Sequence, residues 1–163
     1  METKKTNLSD YDATKIPDGA NYRIAIVAAE WNGEITRAML DGAYKTLTEH
    51  GVKTDNVILQ HVPGTFELTS AADILLTKNR DLDAVICIGC VIQGETRHFD
   101  FICESVANGL ASVSVKHSKP VIFSVLTTNN IEQAHDRAGG KHGNKGVEGA
   151  VTALKMCAFA DKA

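Results

Sequence analysis

One short stretch, Gly94-Glu95-Thr96-Arg97-His98, brings together residue types that can hold an anion and move a proton. Glycine lets a ligand come close to the backbone, and free amides at the start of a helix favour negative charge. With Thr96 as the expected N-cap, His98 falls in the first helical turn, within reach of whatever those amides hold. Imidazole, with an ordinary pKa of about 6.5, is the side chain best suited to take and return a proton near neutrality. This spacing therefore allows a phosphate beside a proton carrier. The plainer alternative is a surface histidine beside a capped helix start, and the segment alone does not choose between them.

Two further residues bear on the same chemistry. Trp31 is the single tryptophan and stands at the end of an apolar run, where its ring can offer a face to a planar ligand or cap the core. Arg137 can clamp phosphate oxygens with two parallel donors, although one arginine on an exposed helix is more often simply solvated. Neither the Gly89 to Thr96 stretch nor the Gly139 to Gly146 stretch has the spacing of a P-loop, and no dinucleotide fingerprint follows the first strand. Cys87 and Cys90 form a C-x-x-C pair inside an apolar run. Residues three apart on a strand face opposite ways, so the pair reads as buried thiols rather than joint metal ligands. The other histidines, His50, His61, His117, His135 and His142, share no ligand spacing and read as surface or packing residues.

The elements that must position these residues alternate along the chain. Strands are expected at Tyr22 to Ala29, Val57 to Val62, Ala84 to Ile92 and Pro120 to Leu126. Helices are expected at Glu34 to His50, Phe66 to Lys78, Arg97 to Ser118, Ile131 to Ala138 and Asn144 to Ala160, the last two joined by a glycine-rich connection. Strands that are apolar on both faces and alternate with helices imply a three-layer αβα domain around a parallel four-stranded sheet. In such a sheet ligands bind beyond the carboxyl ends of the strands, where all four strand-to-helix turns lie. Residues 1–20 are polar and aperiodic and read as a flexible N-terminal arm that orders only on a neighbouring subunit, while 21–163 form one domain.

Composition narrows the function classes. A chain of 163 residues suits one domain, and its net charge of −3 provides no basic excess for nucleic acid. The longest apolar runs are far short of the roughly 20 residues a membrane-spanning helix needs, and no signal region opens the chain. The expected location is the cytoplasm.

Taken in order, several segments resemble the 6,7-dimethyl-8-ribityllumazine synthase family of riboflavin biosynthesis. They are Trp31-Asn32, Val62-Pro63-Gly64-Thr65-Phe66-Glu67, Gly89 to Asp100, Pro120-Val121-Ile122-Phe123, Asn130 to Ala134, Arg137-Ala138-Gly139 and Gly143-Asn144-Lys145-Gly146. The resemblance implies a flavodoxin-like fold and a cofactor-free transferase. Its reaction condenses 5-amino-6-(D-ribitylamino)uracil with 3,4-dihydroxy-2-butanone 4-phosphate, losing phosphate and two waters. It further implies that Trp31 stacks on the pyrimidine and that Thr65, Phe66 and Glu67 hold the pyrimidine and ribityl chain. Cys90, Val91 and Ile92 would line the pocket, and His98 would move protons. Glu95, Thr96 and Arg137 would hold phosphate, with Phe123 and Lys141 reaching in from an adjacent subunit.

The same resemblance implies a homopentamer, a possible 60-subunit icosahedral shell and riboflavin synthase as a possible partner. Two positions depart from the common family pattern: Glu30 and Gln93 each stand where arginine is frequent, which lowers the local positive charge. A flavodoxin-like electron carrier would share the layers, but the first turn, Ala28-Ala29-Glu30-Trp31-Asn32, lacks the hydroxyl-rich loop such a carrier needs. A binding protein that kept the pocket without turnover is the other alternative.

Overall fold

The structure, a computed structural model, describes residues 7–163. Strands β1 (Ile24–Ala29), β2 (Val57–Val62), β3 (Ala84–Ile92) and β4 (Val121–Thr128) form one parallel sheet in the order β2-β1-β3-β4. The helices are α1 (Gly33–Glu49), α2 (Leu68–Lys78), α3 (His98–His117), α4 (Ile131–Arg137) and α5 (Lys145–Lys162).

Two apolar cores follow from the alternation of strand side chains. Ile24, Ile26 and Ala28 of β1, with Ile86 and Ile88 of β3, meet Met39 and Leu47 of α1 and Leu154 of α5. Ala25 and Val27, with Val85 and Cys87, face the other way onto Leu68 and Leu76 of α2 and Leu110 of α3. Every β1 residue is buried, as a strand covered on both sides requires. The three layers expected from the sequence are present. Cys87 and Cys90 enter opposite cores, and burial pushes their thiols up to about 12 and about 11.

The differences from the expected elements have local causes. The second helix was expected to begin at Phe66, but Thr65–Glu67 form a separate 3-10 turn and α2 starts at Leu68. A Cβ at Gly89 would lie 2.6 Å from Thr65 Oγ1 and 3.1 Å from the Leu68 side chain, so the bare glycine lets this turn press onto β3. The glycine-rich connection is also more than a loop. It folds into a small antiparallel hairpin, β5 (Ala138–Gly140) and β6 (Gly143–Asn144).

The arm was expected to order only on a neighbour, yet from Asn7 onward it lies on its own chain. Tyr11 Oη meets His50 Nε2 at 3.0 Å, a 3-10 turn forms at Ala13–Lys15, and Gly19 N donates to His50 O at 2.7 Å. Short polar side chains such as Asn7 and Ser9 find partners there, which a hydrophobicity pattern does not register. The part of the arm before Asn7 lies outside the described residues.

Candidate active site

The strand order reverses direction at β1. The chain steps from β1 out to β2, then returns to β3 on the other side, which opens a crevice at the carboxyl ends of β1 and β3. A cavity of about 610 Å³ occupies that place. Each wall comes from a turn that the strand ladder carries beyond its strand. Glu30 N donates to Val62 O at 2.8 Å and Trp31 N to Pro63 O at 3.1 Å, which ties the β1 turn to the β2 turn. Gln93 N donates to Thr128 O at 2.9 Å and fixes the exit of β3 against β4.

Trp31 and Asn32 come from the first turn, Thr65, Phe66 and Glu67 from the second, Cys90, Val91 and Ile92 from β3, and His98 from α3. All of these except Asn32 belong to the set the sequence put forward, and one chain brings them together, whereas Glu95 and Thr96 are not among the residues that line the cavity. The indole of Trp31 is 75% exposed, so it does not cap the core and its face is open to a ligand. Phe66 is 54% exposed on the opposite turn, while Thr65 beneath it is buried. An aromatic face above a floor of Cys90, Val91 and Ile92, with a few polar groups, is the usual makeup of a small-molecule pocket. Burial holds the Cys90 thiol protonated, which leaves it a lining group rather than a thiolate nucleophile.

His98 is the first residue of α3 and is exposed at the cavity rim. Thr96 was expected as the N-cap, but Arg97 takes that position without a side-chain capping bond, and Thr96 Oγ1 accepts only a long bond, 3.4 Å, from His98 N. The imidazole takes no part in that bond. Beside it, Glu95 and Thr96 are exposed and Gly94 has no atom within 4 Å of its would-be Cβ, which leaves room for an anion against this turn.

Three residues lie elsewhere in the chain. Arg137 ends α4, where Nη1 donates to His142 O at 2.7 Å and Nη2 to Glu148 Oε2 at 2.8 Å. Lys145 Nζ sits 3.3 Å from the same carboxylate oxygen, so Glu148 holds two cations. Phe123, on edge strand β4, lines a hollow of about 300 Å³ with Lys145 and Glu148. Lys141 pairs with Asp136 at 3.3 Å. None of the three lines the cavity beside His98 within one chain.

Sequence reasoning missed Asn32, Gly64 and Ile102 in the cavity, and Glu148 beside Arg137. Ile102 lies four residues after His98 and so shares its helix face, a signal that was available. Glu148 is brought in only by the tertiary fold. Asn32 adopts a left-handed backbone, φ 57°, and its Nδ2 donates to Cys90 O at 2.8 Å. It therefore fixes the Trp31 turn to the cavity floor with a residue that tolerates this conformation. Asn32→Ala is expected to lose that bond and strain the turn by about 1 to 2 kcal/mol, lowering the thermal midpoint by about 2 to 8 °C. A melt followed by circular dichroism checks this, and an unchanged midpoint would deny the residue its clasping role.

Comparison with known proteins points the same way. A family model described as 6,7-dimethyl-8-ribityllumazine synthase matches residues 21–161. The chain is 56% identical over 156 residues to the 6,7-dimethyl-8-ribityllumazine synthase of Porphyromonas gingivalis, covering 96% of each chain. It is likewise 56% identical over 158 residues to the protein of that name from Cytophaga hutchinsonii, covering 97% of this chain and 98% of the relative. The enzyme of that name from Parabacteroides distasonis is 48% identical over 159 residues. With an open indole, a histidine and room for an anion at one strand-order reversal, and relatives matching over nearly its whole length, this chain belongs to the 6,7-dimethyl-8-ribityllumazine synthase family.

Proposed function

We propose that this chain is a transferase that condenses 5-amino-6-(D-ribitylamino)uracil with 3,4-dihydroxy-2-butanone 4-phosphate to give 6,7-dimethyl-8-ribityllumazine, one phosphate and two waters. The observation that carries the reading is the meeting of Trp31 and His98 around one cavity, with the open turn at Gly94 four residues before His98 in the chain. In this reading the pyrimidine lies on the Trp31 ring, and Thr65, Phe66 and Glu67 hold its edge and the ribityl chain. Cys90, Val91 and Ile92 form the apolar floor. The phosphate lies against Glu95 and Thr96, with Arg137 as its clamp.

The substrate amine is already a nucleophile, so the protein mainly has to align two molecules and move protons. Alignment can supply several kcal/mol of the barrier. Amine and ketone join as an imine with loss of one water, proton removal beside the imine expels phosphate, and ring closure releases the second water. His98 takes and returns those protons, and donors already aimed at phosphate stabilise it as it departs.

Since Phe123, Arg137 and Lys141 lie away from the His98 cavity in one chain, the complete site is proposed to form between adjacent copies. Phe101 at 64%, Ile74 at 51% and Val115 at 80% exposure leave apolar side chains of α2 and α3 in water, which supports a homo-oligomer. A pentamer, with a 60-subunit shell as its larger form and riboflavin synthase as a partner, is the assembly proposed. Among the described residues no helix is long and apolar enough to cross a membrane, and the cytoplasm is the proposed location. Mixing the purified protein with both substrates and following lumazine absorbance tests the activity. Product formation is expected, whereas tight binding without turnover would replace the enzyme with a binding protein.

A further inference from the structure

We propose that the arm segment from Asn7 to Ser9 is a positioning element for the guanidinium of Arg137, acting through both of the groups that hold it. The proposal rests on the assignment of Arg137 to phosphate. His142 O, which accepts from Arg137 Nη1 at 2.7 Å, also accepts from Leu8 N at 3.1 Å. A carbonyl oxygen has two lone pairs, so the arm and the guanidinium bind it together and its direction is set from two sides.

The second partner is reached through Asn144. Ser9 Oγ accepts from Asn144 N at 3.1 Å and donates to Asn7 Oδ1 at 2.9 Å, and Asn7 Oδ1 also takes Ser9 N at 3.0 Å. Asn144 in turn caps α5, its Oδ1 accepting from Gly146 N at 2.8 Å, and its Nδ2 donates to Ala38 O of α1 at 3.0 Å. Glu148, the carboxylate that holds Arg137 Nη2, stands in the first turn of that same helix. Hence the arm touches the hairpin at the residue that carries one anchor and at the residue that starts the helix carrying the other.

The hairpin needs such a tie. Two strands this short are marginal by themselves. Gly143 at its turn has φ 87°, and a Cβ there would overlap Asn7 Oδ1 and Ser9 Oγ, so the arm lies flush on a turn that only glycine fits. Arg137 spends two of its five N–H donors on its anchors, and the remainder keep their aim only while those anchors stay in place.

The test is steady-state kinetics on the full chain carrying Ser9→Ala or Asn7→Ala, with light scattering for assembly mass. Each variant is expected to raise KM for 3,4-dihydroxy-2-butanone 4-phosphate about threefold to tenfold, the range one hydrogen bond allows. Expected beside that are kcat and the pyrimidine KM within about twofold of the parent, the parent mass, and restoration by Ser9→Thr. If Arg137→Ala raises the same KM and neither arm variant does, the arm is overturned and the phosphate assignment stands. If Arg137→Ala also leaves it unchanged, both are overturned. Equal rises in both KM values, or a changed mass, would make the arm a general structural or assembly element and overturn the positioning role.

Discussion

Replacing His98 by alanine is expected to lower kcat by about 10² to 10⁴, the range that general acid–base assistance covers, while the KM values move little. The geometry separates chemistry from folding at this position. The ring is exposed at the cavity rim, and the bond to Thr96 is made by the backbone N–H, which alanine retains. Stability is expected within about 0.5 kcal/mol of the parent, as for other surface changes away from buried contacts. Parallel measurement of turnover, thermal midpoint and mass checks this. A variant with the parent kcat would remove His98 from proton transfer, and a loss of kcat accompanied by a broken assembly would assign the residue to structure instead.

The second large effect is expected at Arg137. Arg137→Ala should raise KM for the phosphorylated ketone by roughly 10- to 100-fold, since hydrogen bonds to charged groups contribute about 1.5 to 3 kcal/mol. The same substitution should leave binding of a phosphate-free analogue nearly unchanged. Glu148 keeps Lys145 at 3.3 Å, so its carboxylate is not stranded without a cation when Arg137 is removed. Arg137→Lys should recover little, because an ammonium cannot serve the His142 carbonyl and the Glu148 carboxylate as the planar fork does. Equal weakening for the phosphate-free analogue would refute the assignment.

The fold and the nearer half of the site were legible because they depend on local periodicity. Val57–Val62 and Ala84–Ile92 are bounded as expected, since apolar runs between turn residues leave little choice. The cavity residues were legible for a related reason: parallel strands bring all their exit turns to one edge, so ordering the strands also groups Trp31, Glu67 and His98. What escaped was set by contacts between distant residues. Glu148 meets Arg137 only through the packing of α5, and the 3-10 turn at Thr65–Glu67 exists because Gly89, on another strand, leaves space for it. The arm escaped because its partners are backbone groups of a hairpin that no hydrophobic period announces.

The setting of Trp31 gives the protein a built-in optical probe. It is the only tryptophan, and three-quarters of its surface meets solvent at the site itself. Indole emission therefore comes from one place, with no background from a second fluorophore of its kind. A heteroaromatic ring laid over it would shift and quench that emission, so occupancy can be titrated on the unlabelled protein before any bond is made.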